Sequence, residues 1–325
     1  MKKEFFFGLF LIVIIITGTV ILLPSKQNTT SVAENGSVGQ PSAAITAGSS
    51  GIAGRTSHNL VFNSTISNSI ESKAMEKIVV YKTIPSVVSK ERTLALAKKF
   101  NVTGNLRGNT VVQSEDLRYG LEISRKSGSI RYQDQDRPND QLDVPEKLPS
   151  DDDAIMIATK FLKERDLFPE DAIKPTVYRE NVYGGKDKKV FYGQIGVWYD
   201  RKLNGMNVDG TQLVVYVAGS GDVTGYYANW RNYEPYKEFP IITPASALEK
   251  LKTNGVPIGS NPMDAEVSMD NVYLAYQTTP GAYSEKYLTP VWVFKGNVTV
   301  DGKSVMPVKQ YIPALTGESL ITISS

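Results

Sequence analysis

The chain has no cysteine and one histidine among its 325 residues. The first absence removes disulfides, thiolate nucleophiles, iron–sulfur clusters and cysteine zinc sites together. The second leaves His58 as the only imidazole, in a polar stretch where it reads as a solvent-exposed linker residue. Histidine triads and most zinc sites need that ring on a rigid scaffold. Also missing are GxxxxGK[ST], GxSxG and HExxH, and any serine followed three residues later by lysine. An excess of one charge is missing too: Lys and Arg number 36 against 34 for Asp and Glu, so the chain shows no nucleic-acid footprint. Nothing in the pattern calls for a cofactor or a metal.

What is present begins with FFFGLFLIVIIITGTVILL, residues 5–23, uncharged throughout and preceded by Lys2 and Lys3. About 20 apolar residues in a helix cross a bilayer core. The run ends at Leu23-Pro24 without an adjacent small-x-small cleavage site, which favours a retained anchor over a cleaved signal. The lysines on its short side place the amino terminus in the cytoplasm and the bulk of the chain outside a cell membrane. Asn28, Asn35, Asn63, Asn101 and Asn297 each open an N-x-[ST] triplet, the glycosylation acceptor of exported chains. The expected organisation is a cytoplasmic stub and anchor over 1–24, then a flexible Ser/Thr/Gly-rich linker over 25–74. Three helix-plus-sheet modules follow, over 75–149, 150–240 and 241–325.

Three helix starts are legible. Ser89, Ser150 and Thr243 each precede an apolar stripe of helical spacing and can accept an orphan backbone N–H. Asp151, Asp152 and Asp153 form a carboxylate run. Calcium loops space their ligands at alternate positions with a glycine turn and a distant glutamate, so first-turn dipole complementation explains these better. Behind the helices lie β-branched and aromatic runs bounded by Asn-Gly and Asp-Gly signals. These are expected to be strands near 109–114, 118–124, 129–134, 173–180, 189–200, 211–218, 222–230, 264–276, 287–296, 304–313 and 318–323, with KIVVYKTIP ahead of them.

One phrase recurs. WYDRKLNGMNVDGTQLVVYVAGSG (198–221) and WVFKGNVTVDGKSVMPVKQYIPALTG (292–317) share a Trp, a Val-Asp-Gly and a closing Ser-Gly or Thr-Gly. A hairpin is expected three times, with Gly128, Gly221 and Gly317 at its turns. The fold class is α+β: a repeated unit of one helix and an antiparallel sheet, its helix covering one sheet face.

The hairpin ending in YIPALTGESL resembles the PepSY superfamily, and LNGMNVDGTQLVVYVAGSGDVTGY resembles the propeptide module of thermolysin- and fungalysin-type proteases. With YLTPVWVF near the end, the plan is similar to the YycH and YycI regulators of a bacterial sensor kinase, and to YpeB. The likeness spans roughly residues 90–323, although the first copy lacks the tryptophan and the VDG. It implies a non-catalytic module that binds and regulates a protease, sensor kinase or envelope enzyme, with no catalytic residues. A protein partner in the envelope would dock on a strand edge or on the uncovered sheet face. The candidate surface is GYYANWRNYEPY: Tyr226, Tyr227, Trp230, Arg231, Tyr233 and Tyr236. Two alternatives stay open. One is a carboxylate-based envelope hydrolase drawing on Asp200, Asp209, Asp222, Glu234 or Asp301. The other is a glycosylated structural cell-surface protein.

Overall fold

The computed structural model describes residues 55–62, 76–134, 148–184, 189–259, 261–262, 264–317 and 319. The anchor run 5–23, the linker up to residue 54 and Asn28, Asn35 and Asn63 lie outside the described residues. Among the described residues no helix is long and apolar enough to cross a membrane. The fold is α+β and dominated by sheet, with three helices among the described residues.

Those helices are α1 (Lys90–Lys99), α2 (Asp151–Glu164) and α3 (Pro244–Asn254). Each starts where the hydroxyl side chains allow. Ser89 Oγ accepts from Arg92 N at 3.2 Å, Ser150 Oγ from Asp153 N at 3.2 Å and Thr243 Oγ1 from Ser246 N at 3.1 Å. The three aspartates fill the first turn of α2. There Asp151 also forms a surface charge pair with Arg179 at 2.5 Å. α3 stops at Gly255, whose φ of 67° and N–H to Leu251 O at 2.8 Å close the helix end.

The chain divides into two compact units. One comprises the described residues of Met1–Glu76, Ile241–Tyr273 and Trp292–Ser325. Within it the short strand β1 (Arg55–Ser57) pairs antiparallel with β14 (Val256–Gly259). Strand β2 (Leu60–Phe62) runs parallel to β15 (Glu266–Gln277) at Val267–Met269. β16 (Tyr287–Val300) folds back as β17 (Lys303–Pro313).

Residues 55–62 correct the expectation of a linker reaching 74. Their apolar content is low, but backbone pairing does not require it. Ser57 is 1 % exposed and donates to Ala265 O at 2.7 Å. His58 is exposed, yet it sits between two strands, its Nδ1 3.2 Å from Lys252 O.

The other unit is Lys77–Pro240 with Leu274–Val291. Its strands are β3 (Lys77–Ile84), β4 (Gly104–Arg107), β5 (Val111–Ser114), β6 (Tyr119–Ile123) and β7 (Ile130–Asp134). After α2 come β8 (Ala172–Gly184), β9 (Lys189–Leu203), β10 (Met206–Asp209), β11 (Gln212–Ala218), β12 (Val223–Asn229) and β13 (Asn232–Pro240). The order β10-β9-β11-β12-β7-β6-β5-β4 forms its main antiparallel array, and β8 pairs with β9. β13 pairs antiparallel with β3. Phe100 at the end of α1 stacks on Tyr132 with ring centres 4.9 Å apart, and it meets Phe161 of α2 and Tyr226 of β12. Around it lie Ala154, Ala158, Leu162, Ile195, Val197, Leu213, Val215 and Val217, all buried.

The recurring phrase does not fold identically twice. Around Val300-Asp301-Gly302-Lys303, Asp301 and Gly302 have φ of 50° and 72°, making the two-residue hairpin of β16 and β17. In the other copy that turn is made by Asn204 and Gly205, at φ of 48° and 80°. Asp209 instead ends β10, where Val208 pairs in parallel with Tyr276. Gly128 and Gly221 take left-handed turn positions as expected, at φ of 72° and 82°. Gly317 does not: it lies in helical backbone, beside Thr316, whose Oγ1 meets Ser319 Oγ at 2.9 Å in a local cap-like contact. The strand expected over 318–323 lies outside the described residues except for Ser319.

Candidate functional site

Direct pairing across β8, β9, β11, β12 and β7 assigns each side chain to one of two faces. Ile195, Val197, Leu213, Val215 and Tyr226 face α1 and α2 and are buried with them. Trp198 and Gly196 belong to the opposite face, with Tyr178 and Tyr216 paired to Gly196 on either side. Tyr216 lies over two glycines, each its direct pair. An added Cβ would meet its ring at 3.5 Å from Gly196 and 2.9 Å from Gly225. Bare glycines beneath a ring let it lie flat and extend the face sideways. Tyr178 is 50 % exposed and packs edge-on against Trp198 at 6.1 Å. This face, opposite the one packed on α1 and α2, therefore carries a row of aromatic side chains.

The strand edges are built differently. Among the described residues β8 pairs only with β9 and β13 only with β3, so each has an unpaired side. β8 carries Pro175 beside a register shift, and β13 carries Pro235 beside a bulge that leaves Tyr236 as the extra residue. In the other unit β17 pairs only with β16 among the described residues, and it holds Pro307 and Pro313. Prolines and bulges at open edges obstruct further strand pairing. Of the two docking modes the sequence left open, these edges favour the face.

The six tyrosine-rich candidate residues do not form one exposed surface. Tyr226 is 3 % exposed and packs in the core, where burial raises its phenol pKa well above the ordinary value. Arg231 is 5 % exposed, so it too is corrected from surface to interior. Tyr227 is half-buried, and burial raises its pKa against the opposing effect of its hydrogen bond with Ser129. Trp230 is half-buried, donating from Nε1 to Asp171 Oδ1 at 2.9 Å, with the Arg201 guanidinium 5.1 Å over its ring. Tyr233 donates to Glu285 Oε1 at 2.8 Å; burial, reinforced by the Glu285 charge, raises its pKa well above the ordinary value. Only Tyr236 is largely exposed, at 48 %, and it rests against Tyr287 at 5.1 Å.

Arg231 is instead the centre of a buried polar clamp that sequence reasoning missed. It donates from Nη1 to Thr278 Oγ1 at 2.9 Å and to Thr279 O at 2.6 Å. From Nη2 it reaches Pro280 O at 3.2 Å and Tyr283 O at 2.8 Å. Glu285 closes the other side, accepting from Thr279 N at 2.6 Å, Thr278 Oγ1 at 2.9 Å and Thr83 Oγ1 at 3.3 Å. Ser127 and Ser124 donate to Gly281 O, at 2.5 and 3.2 Å. The only sequence signal was an arginine among aromatics; its partners lie about 50 residues away, beyond the reach of local pattern.

The remaining candidates are dispersed. Asp200 lies on β9, Asp209 at the end of β10, Asp222 in the β11–β12 turn, Glu234 on β13 and Asp301 in the β16–β17 turn. Asn101 is exposed just after α1 at φ 57°, and Asn297 is half-buried on β16.

No protein-family model matches the chain. No curated protein matches it either. Among solved structures, an uncharacterized protein from Eubacterium rectale aligns at 16 % identity over 80 % of this chain and 90 % of its own, with a TM-score of 0.46. The Bacillus megaterium YpeB C-terminal domain aligns at 19 % identity over 72 % of this chain and 96 % of its own, TM-score 0.33. YycH from Bacillus subtilis aligns at 13 % identity over 75 % of this chain and 53 % of its own, TM-score 0.38.

Proposed function

We propose that this chain is a membrane-anchored, extracytoplasmic, non-catalytic binding module that regulates an envelope protein through the sheet face opposite α1 and α2. The observation that carries this reading is the aromatic row Tyr178, Trp198 and Tyr216, laid over Gly196 and Gly225 on a sheet whose edges are obstructed. Aromatic rings give contact area at little conformational cost and recur at the centres of protein interfaces. The uncharged run 5–23 behind Lys2 and Lys3 supports the anchor and the orientation. On this reading the three helix-plus-sheet stretches are repeated modules of display, and the acceptor asparagines are places for glycan.

The test uses the full tagged chain in detergent-solubilised membranes. The wild type is expected to fractionate with membranes and to retain a protein partner that a Tyr178→Ala/Trp198→Ala double variant, equally folded by circular dichroism, does not hold. Recovery of the chain in the cytosol, or retention of every partner by the double variant, overturns the reading.

A further inference from the structure

Residues 55–62 have the composition of a linker and the backbone of two strands. Their only buried side chain is Ser57, a hydroxyl; Leu60, Val61 and Phe62 are all partly or largely exposed. What holds the segment is polar. Ser57 Oγ donates to Ala265 O at 2.7 Å, Asn59 Nδ2 to Asp264 O at 3.3 Å and Arg55 Nη1 to Asn261 O at 3.5 Å, and His58 Nδ1 lies 3.2 Å from Lys252 O. Backbone pairing adds three residues on β14 and three on β15. The strands it joins are of another kind: their Val256, Ile258, Val267 and Met269 are fully buried core residues.

Hydrogen bonds that water can replace contribute only modestly, and an element with few buried apolar contacts opens locally without unfolding the rest. The seat is nevertheless shaped for this segment. A Cβ on Gly255 would collide with Thr56 Cγ2, His58 Cε1 and Ser57 O at 2.6–2.8 Å, so the bare glycine is what admits it. Weak attachment in a fitted seat allows opening and reclosing. Position in the chain gives opening a consequence, because the segment lies between the apolar run 5–23 and β3, which starts at Lys77. While it is seated, the connection from that run ends at Arg55. Once it leaves, residues 55–76 are added, at most about 70 Å at about 3.3 Å per residue.

We infer that residues 55–62 are a releasable clip that sets the length of the connection between the anchor and the folded units, short when seated and long when free. This rests on the membrane-anchored reading and on no residue of the aromatic row.

The full chain, purified in detergent, is followed by hydrogen–deuterium exchange. Amides of residues 55–62 are expected to exchange at least about tenfold faster than those of the β16–β17 ladder. Gly255→Ala should speed them about tenfold further and leave that ladder unchanged. Because the chain has no cysteine, Thr56→Cys/Pro257→Cys, at directly paired positions, can form only one disulfide within the chain. Oxidised, this variant should slow residues 55–62 to the rate of the ladder, and reductant should reverse the effect. If the disulfide does not form, Gly255→Ala decides. Pulled between its ends in an optical trap, the wild type should first lengthen in a step of no more than about 70 Å, the reach of residues 55–76, before either unit unfolds. The oxidised variant should lack that step. Exchange of residues 55–62 in step with the ladder overturns the inference, as does a first step that survives oxidation or is absent from the wild type. The two readings fail separately. Recovery of the chain in the cytosol overturns the anchor and leaves the early step in place, whereas loss of the step leaves fractionation with membranes unchanged.

Discussion

Arg231 Nη1 and Glu285 Oε2 stand 4.0 Å apart with both side chains 2 % exposed, so two opposite charges are neutralised in the interior of one unit. Neither is isolated. The carboxylate accepts from Thr278, Thr279, Tyr233 and Thr83, and the guanidinium satisfies three backbone carbonyls.

Removing one member leaves the other charged, buried and short of a partner, which costs about 3–5 kcal/mol. Arg231→Met and Glu285→Gln are each expected to lower the unfolding free energy by that amount, read as a lower urea midpoint at unchanged slope. The double variant should lose less than the sum of the two, because it strands no charge. Additive losses in the double-mutant cycle would show that the pair does not act as a unit.

Alkaline stability follows from the buried phenols. Burial pushes the Tyr132 pKa up to about 12, with the nearby Asp134 charge adding to it, and burial also raises those of Tyr199, Tyr226, Tyr233 and Tyr276. A folded-state pKa above the unfolded value means that the folded form holds the proton more tightly. The stabilisation is complete below about pH 10 and is lost as pH rises toward 12 and beyond. Tyrosinate absorbance at 295 nm should show a late group of phenols ionising together with loss of the far-ultraviolet dichroism. Ionisation of every phenol near pH 10 in a still-folded chain would contradict this burial.

How much of this could be read beforehand depended on the range of the cause. Ser89, Ser150 and Thr243 were legible as caps because a cap is satisfied within three residues. The strand runs 189–200 and 211–218 were legible through β-branched and aromatic content, and β9 and β11 contain or closely match them. Asp209 and Asp301 share a local phrase yet differ in backbone, because Asp209 is drawn into a ladder whose partner, Gln277, lies far along the chain. Tyr226 and Arg231 fell outside reach for the same reason. Burial of one and clamping by the other are set by Phe100 and by residues 278–285, which no window around 226–236 contains.

Two glycines of the other unit separate contact from conformation. Gly296 lies against the backbone of Ser268 and Met269, where an added Cβ would collide, whereas Gly302 has open space around it and φ of 72°. Gly302→Ala is expected to cost about 1–2 kcal/mol, the left-handed penalty alone. Gly296→Ala must push two strand backbones apart and should cost more than that, seen as the larger loss of melting temperature. Equal losses would mean that the β15–β16 approach is looser than the geometry indicates.

Strand β13 offers the sharpest test of the edge argument. Its unpaired side combines Pro235, which supplies no N–H, with a bulge at Tyr236 and alternating Glu234, Lys237 and Glu238. Removing the proline restores a backbone donor on a strand that is otherwise extended and exposed, and exposed edges with complete donors recruit further strands. Pro235→Thr should therefore leave the fold intact, since threonine suits a strand, while shifting sedimentation toward larger species as concentration rises. Adding Tyr236→Lys to that variant puts charge back on the edge and should reverse the shift. If Pro235→Thr sediments as the wild type does at every concentration, the proline is not what keeps this edge closed. The preference for the sheet face over the edges as the docking surface then loses its main support.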